Sequence, residues 1–356
     1  MMKRIFLFLT LFIASFGVAN ASEEKEKFDA GHLIMEHLGD SYYWHVFTYG
    51  DLDVSIPLPM ILINEGKVDV FMSSKFHHGH SPYKGYKIAT AQDGEGLEGS
   101  IICVDENGVY TGKKPLDLSI TKNVFAIFIV SGLIIFLVLK GAKSAKKREG
   151  QAPKGLLTVV EYFISFIKND IAVPSIGEHR YRKYLPYLLT AFLFIFFSNL
   201  LGLFPFFPGG ANITGNIAVT LCLALFTFVI TNVSGNKHYW VHIINMPGVP
   251  WWLKFPLPIM PIVEILGIFT KPFSLTIRLF ANITAGHVMI LSFICIIFIF
   301  GEQSAALGYG TSILPVFFAL FMTALEVLVA FIQAYVFTLL SAIYIGMATE
   351  EEHAKE

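Results

Sequence analysis

Arg278, Asn282 and His287 stand inside TKPFSLTIRLFANITAGHVMILSFICIIFIF, residues 270–300, and Glu326 and Gln333 stand inside LEVLVAFIQAYVFTLL, residues 325–340. Both stretches are otherwise apolar enough to cross a membrane. A guanidinium at the centre of a bilayer costs at least about 2.5 to 3.5 kcal/mol, so its presence calls for a role. Arginine keeps its charge under any burial and is a poor relay for a proton that must come and go, but it is an effective electrostatic gate. Histidine and glutamate exchange protons and can load or unload one near neutral pH. The pattern therefore predicts movement of charge.

Folding the two stretches as an antiparallel hairpin about residues 301–312 tests how these side chains meet. The midpoint of Arg278 and Gln333 is 305.5 and that of His287 and Glu326 is 306.5, so each pair is expected to share a depth. Two polar layers follow, roughly 10 to 14 Å apart. Glu326 and Gln333, seven apart, share a helix face, as do Arg278 and Asn282, four apart. His287, nine from Arg278, lies about half a turn away from it. Two environments around one helix are implied, one presenting the arginine and one an outward-facing path. An internal salt bridge between Arg278 and Glu326 is the competing account of the arginine, and the depth argument disfavours it. Lys271 sits near the inner end, where snorkelling explains it. Glu264, seven before Lys271, pairs or lines an inner path. The mobile carboxylate that a fixed positive charge needs is then expected on another polypeptide.

The elements that must position these residues are membrane spans. Of 356 residues, 54% are apolar, 34 are Phe and 15% are charged, far more apolar side chain than a soluble core needs. The expected architecture is an all-α membrane protein with five crossings, at about 121–140, 185–204, 216–235, 256–300 and 313–347. An interfacial amphipathic helix at about 154–170 is expected beside them, with Leu157, Val160, Phe163, Ile164 and Ile167 on its apolar face. The 45 residues of 256–300 would reach roughly 67 Å, about twice a hydrocarbon core, so that segment must be kinked, strongly tilted or partly interfacial. The last two crossings are read as a long tilted hairpin.

Lys and Arg follow the first crossing, in GAKSAKKREG, and recur in GEHRYRKY and around Lys237, His238, His242 and Lys254, whereas 205–216 and 301–312 have none. This asymmetry orients the chain with its start outside and its end, 351–356, in the cytoplasm. The opening MMKRIFLFLTLFIASFGVANAS reads as a signal peptide over 1–21, the alternative being a short uncleaved anchor. Residues 22–120 form a small mixed α/β segment outside the membrane, with a short helix near 27–38 and turns at NEGK, QDGEG and DENGVY. His77, His78 and His80 could offer imidazoles to a metal, but an exposed histidine-rich loop is the favoured reading. Cys103, Cys222 and Cys295 form no disulfide framework.

With these residues in view, KPFSLTIRLFANITAGH, LEVLVAFIQAYVFTLLSAIYI and SNLLGLFP together resemble subunit a of the membrane sector of rotary ATP synthases, over about 120–350. The resemblance implies a proton-translocating stator subunit with two offset half-channels. It makes Arg278 the arginine opposite the c-subunit carboxylate, Gln333 the glutamine packed beside it and Asn282 a polar neighbour one turn on. His287 and Glu326 become the imidazole and acid of the outward half-channel; some members hold these two chemistries in exchanged positions. Asn216, Glu264 and Lys271 fit as supporting channel linings. The c-subunit ring, the b-subunit peripheral stalk, the rest of the complex and membrane lipid are the implied partners, in a bacterial inner membrane. The segment 22–120 departs from the family's shorter outer N-termini, so its role is not inherited.

No phosphate-binding glycine loop of the usual spacing occurs, so no cofactor and no catalytic chemistry are expected on this chain, and no nucleic-acid partner. The competing readings are a self-contained proton-coupled secondary transporter, for which paired broken repeats would be expected, and an ion channel that conducts alone.

Overall fold

The computed structural model describes residues 28–350 except 50–51, 80, 91–92, 95, 106–107, 205–207 and 245–258. The expected signal peptide, the C-terminal tail and the WWLKF group at 251–255 lie outside the described residues.

The N-terminal segment opens with helix α1, Ala30–Leu38. Three small antiparallel sheets follow. One pairs β1, Tyr43–Tyr49, with β2, Leu52–Pro57. The second has the order β4-β3-β7, from Lys67–Met72, Pro59–Asn64 and Leu116–Asp117, and the third pairs β5, Tyr86–Ile88, with β6, Ile101–Cys103. The β3–β4 hairpin closes on Glu65-Gly66, φ 50° and 82°, the pair of positive angles that a two-residue hairpin turn requires. Met60, Leu62, Phe76, Tyr86, Ile101 and Cys103 form its core. A buried Cys103 is thus packed as a small hydrophobe.

Five helices carry the apolar bulk. They are α2, Lys122–Lys147, α5, Tyr181–Gly202, α6, Ile217–Val233, α8, Ile259–Gln303, and α9, Ala305–Thr349. Four of them are long and apolar enough to cross a membrane; a fifth candidate joins α6 to the short α7, Lys237–Ile244, across a 105° bend. Helix α2 continues past the apolar run through GAKSAKK, because Ala and Lys are good helix formers and no proline intervenes. Thr121 caps its start, accepting from Val124 N at 3.4 Å.

Between α2 and α5 lie α3, Leu156–Phe166, a π-helical turn, Ile167–Ala172, and α4, Val173–Ile176. Leu157 and Ile167 are buried while Glu161 and Asp170 are exposed, the amphipathic pattern read from the sequence. Val160 packs on Gly141 of α2, where a Cβ would stand 3.1 Å from its methyls. The main core gathers residues of all these helices, including Ile171, Phe192, Leu279 and Phe337, and takes in Trp44 of the N-terminal segment, edge-on to Phe125 at 5.7 Å.

The two C-terminal helices have 45 residues each, about 67 Å, so neither can stand upright in a hydrocarbon core. They are joined by Ser304 alone. The loop expected over 301–312 is instead helical on both sides, since GEQSAALG contains helix formers and no proline. Ser304 adopts φ −164°, ψ 148° and its Oγ accepts from Leu307 N at 3.2 Å. The chain can reverse so sharply because Gly308 lies against Gly301, whose Cα would be 2.8 Å from a Cβ at 308. On its packed side α9 presents small residues, Ala330, Ala334, Ser341, Ala342 and Ala348, which let helices approach closely inside a membrane. Its Ser341 hydroxyl meets Thr227 Oγ1 at 3.0 Å, and Thr227 meets Tyr187 OH at 2.7 Å.

Candidate functional site

The register of the hairpin decides which polar residues can act together. Phe293 stacks on Phe318 with centroids 5.5 Å apart, midpoint 305.5. A Cβ on Gly286 would fall on the carboxylate of Glu326, midpoint 306. Lys271 Nζ lies 5.3 Å from the ring centre of Tyr344, midpoint 307.5. The register therefore drifts by about four residues, roughly one turn, from Phe293 to Lys271. Glu326 lies beside the residue that precedes His287, and Gln333 lies within one turn of the position opposite Arg278.

Glu326 is 4% exposed, and neither carboxylate oxygen has a hydrogen-bond partner among the described residues. A buried carboxylate with no donor is costly, and such groups inside membranes mark ion paths. His287 is half-buried next to it, and its Nε2 stands 3.7 Å from a Cβ built on Gly202, at the end of α5. Gly202 also closes on the Ala211 carbonyl, at 3.2 Å from that Cβ. The loop 211–216 therefore borders the imidazole. Within it Thr214 Oγ1 donates to Asn199 Oδ1 at 2.5 Å, and Asn212 Oδ1 accepts from Gly215 N at 3.1 Å. Ser198 Oγ, Asn199 Nδ2, Asn212 Nδ2 and Thr284 Oγ1 are buried without partners among the described residues.

These amides and hydroxyls were missed in the sequence. The signal that could have found them is the tetrapeptide ANIT, which occurs at 211–214 and again at 281–284, flanking the His287 region from two elements.

Arg278 is half-buried, and among the described residues it makes no hydrogen bond or ion pair. No bridge to Glu326 is present, in keeping with their separation by depth. Tyr344 is close enough to Arg278 for electrostatic interaction. Gln333 is 6% exposed. Asn282, one turn from Arg278 towards Ser304, is exposed, and so are its neighbours Ile277, Ala281 and Ala285, so this stripe of α8 is uncovered among the described residues.

At the end of the hairpin away from Ser304, Thr227, Thr231, Asn232, Tyr239, Lys271 and Tyr344 line a small cleft between α6, α7, α8 and α9. Glu264 interacts electrostatically with Lys271 and with Tyr239. Asn216 has a local duty: its Oδ1 accepts from Ala218 N at 2.9 Å and caps α6. His77 is exposed in the 3-10 helix Ser73–Gly79, and His80 lies outside the described residues. Among the described residues no group of three or more His, Cys, Asp or Glu could hold a metal.

A bundle of long apolar helices with buried and half-buried titratable side chains at separate depths of one hairpin defines a polytopic membrane protein. The family model for the ATP synthase A chain matches residues 124–346, and the chain belongs to that family. Residues 33–118 match a second family, described as a Domain of unknown function (DUF8433). Over 239 residues the chain is 50% identical to ATP synthase subunit a 2 of Chlorobaculum tepidum, covering 65% of this chain and 64% of the relative. It is 46% identical over 246 residues to ATP synthase subunit a of Chlorobium phaeobacteroides, covering 67% and 68%. With ATP synthase subunit a of Anaeromyxobacter dehalogenans it shares 42% over 236 residues, 65% of this chain and 58% of the relative. The matched region thus spans between 58% and 68% of the length of these relatives.

Proposed function

We propose that this chain is the proton-translocating stator subunit of a bacterial F-type ATP synthase, without catalytic chemistry of its own. The observation that carries the reading is the buried Glu326 carboxylate beside Gly286 and His287, at a depth different from that of Arg278, both without a hydrogen-bond or ion-pair partner among the described residues. Family membership supports it, as do the printed names of the relatives.

In this reading a proton enters from the side of the N-terminal segment and passes the polar cluster of Asn199, Asn212, Thr214, His287 and Glu326. It neutralises a carboxylate on a c subunit, which then turns into lipid. At the inner path, lined by Lys271, Glu264, Tyr239 and Asn232, the carboxylate loses the proton. Arg278 holds the returning anion, and because it never releases its own charge it blocks a direct leak between the two paths. Gln333 packs at the arginine's depth and Asn282 extends the same stripe. One charge crossing 100 mV releases about 2.3 kcal/mol, so several must be gathered per ATP, which a rotating ring does.

The exposed apolar stripe around Ile277 and Ala281 is the surface we assign to the c-subunit ring, and the peripheral-stalk b subunit is assigned to the remaining helices. In this reading the N-terminal segment faces the outside and the C-terminus the cytoplasm, which the Lys and Arg distribution supports. A density map of the intact complex tests the reading. It should place a ring of carboxylate-bearing hairpins against the α8 stripe at Arg278; lipid or another subunit there would overturn it.

A further inference from the structure

Helix α1 belongs to the segment that the ATP synthase A chain match leaves out, yet it packs along α8 of the hairpin. At its start, the Phe28 ring lies 5.4 Å from that of Phe298, and Phe28 N donates to Glu302 Oε1 at 2.6 Å. At its other end, His37 comes close enough to His287 for the two to interact electrostatically. Nine residues separate Phe28 from His37 and eleven separate Phe298 from His287. At about 1.5 Å per helical residue these paths are about 14 and about 17 Å, so α1 runs antiparallel to α8 from its outer end down to the imidazole.

The inner end of α1 is pinned to the start of α2. Asp40 Oδ1 accepts from Asn123 N at 3.1 Å, the Ser41 carbonyl accepts from Lys122 N at 2.8 Å, and Trp44 lies edge-on to Phe125. Lys122 is the other cation within electrostatic reach of His287. Asn123 at the same junction is 3% exposed, and its Oδ1 has no partner among the described residues. His37 itself is exposed. An exposed imidazole therefore stands near the junction where the half-buried His287, the Asn123 amide oxygen and the Lys122 ammonium come together. Among the described residues, His287 lies within electrostatic reach of His37 and Lys122 within reach of His287; Asp40 follows the inner end of α1, and Asp29 and Glu302 lie at its other end.

We propose that α1 forms the outer mouth of the outward proton path and that His37 is its entry group, taking protons from the outer medium and handing them on towards His287. The proposal rests on the outward path assigned above. The exchange is a pure proton transfer: a neutral imidazole binds a proton from bulk water and returns to neutral when the proton moves inward. Imidazole suits this because its charge changes within the range of ordinary outer pH. Lys122 beside the route favours onward transfer over accumulation of charge, since like charges close together repel.

The test measures ATP synthesis by the intact complex in vesicles as the pH on the side of the N-terminal segment is varied. His37→Ala should slow the reaction about threefold or more near pH 8, where free protons are scarce, and by a smaller factor near pH 6. Imidazole added on that side should restore the rate. His37→Lys keeps a positive charge without exchanging protons near neutrality and should remain slow; His37→Gln supplies a second neutral variant should the alanine form assemble poorly. Equal slowing at every pH with no rescue by imidazole would assign His37 a purely structural role, and an unchanged rate would remove it from the path; either result overturns the proposal. Arg278→Ala in the same complex separates the two levels, because retained coupling there would sink the stator reading itself, whereas lost coupling with an indifferent His37 would sink only the entry group.

Discussion

The carboxylate of Glu326 lies against the backbone of Gly286, in the space that any side chain at 286 would occupy. One residue further on stands His287, so the contact of the two long helices at Gly286 brings an acid and an imidazole to one depth. The glycine is what permits that approach.

Gly286→Val should therefore displace Glu326 and slow coupled proton transport about tenfold or more, because small misplacements of a transfer group cost large rate factors. The same change at Gly267, where a Cβ meets nothing, should leave transport near its normal rate. ATP-driven acidification of inverted vesicles measures both, and equal rates for the two variants would separate Glu326 from the path.

Glu326→Gln keeps the shape of the side chain and removes its proton exchange. Proton flux should fall severely, and its dependence on pH should change, since one of the two exchanging groups at that depth is gone. A flux profile with unchanged pH dependence would take Glu326 out of the outward path.

Tyr187 OH, Thr227 and Ser341 form a hydrogen-bonded chain linking α5, α6 and α9. Such bonds inside membranes contribute about 0.6 kcal/mol on average. Tyr187→Phe should reduce stability by about that amount, read from reversible unfolding in mixed micelles, with transport little altered. A loss of several kcal/mol would mean that the tyrosine does more than bridge.

The N-terminal segment should be acid-sensitive at Asp93. The carboxylate accepts from the Thr90 backbone and from the Lys87 ammonium, which lower its pKa from 3.8 to about 2. A depressed folded-state value means that the contribution is fully present above about pH 4 and is lost as pH falls from there through about 2. Asp93→Asn should remove that dependence. Hydrogen exchange of the Thr90 amide in the intact protein checks it, and a variant whose exchange keeps the wild-type acid response would contradict it.

The residues nominated for the site stood out because charge in hydrocarbon is rare and costly, and because an antiparallel hairpin suggests a register from residue numbers alone. The spans were legible for the same reason, since 20-residue apolar runs bounded by Lys and Arg have few alternatives. The one-residue reversal at Ser304 was not, because EQSAAL is polar enough to read as a loop yet favours helix once Gly301 and Gly308 allow the crossing. Asn199, Asn212 and Thr214 were passed over because amides and hydroxyls are common at helix ends and in loops; only tertiary packing shows that they are buried against the His287 wall. The docking of α1 on α8 depends on contacts between residues more than 250 apart, and no local pattern carries them.

The central claim is that Arg278 keeps the outward and inward paths apart. Arg278→Ala in the assembled complex, followed by ATP-driven acidification of inverted vesicles, tests it most directly. The account predicts that the complex still assembles while coupled pumping and ATP synthesis disappear; full coupling with alanine at 278 would contradict it.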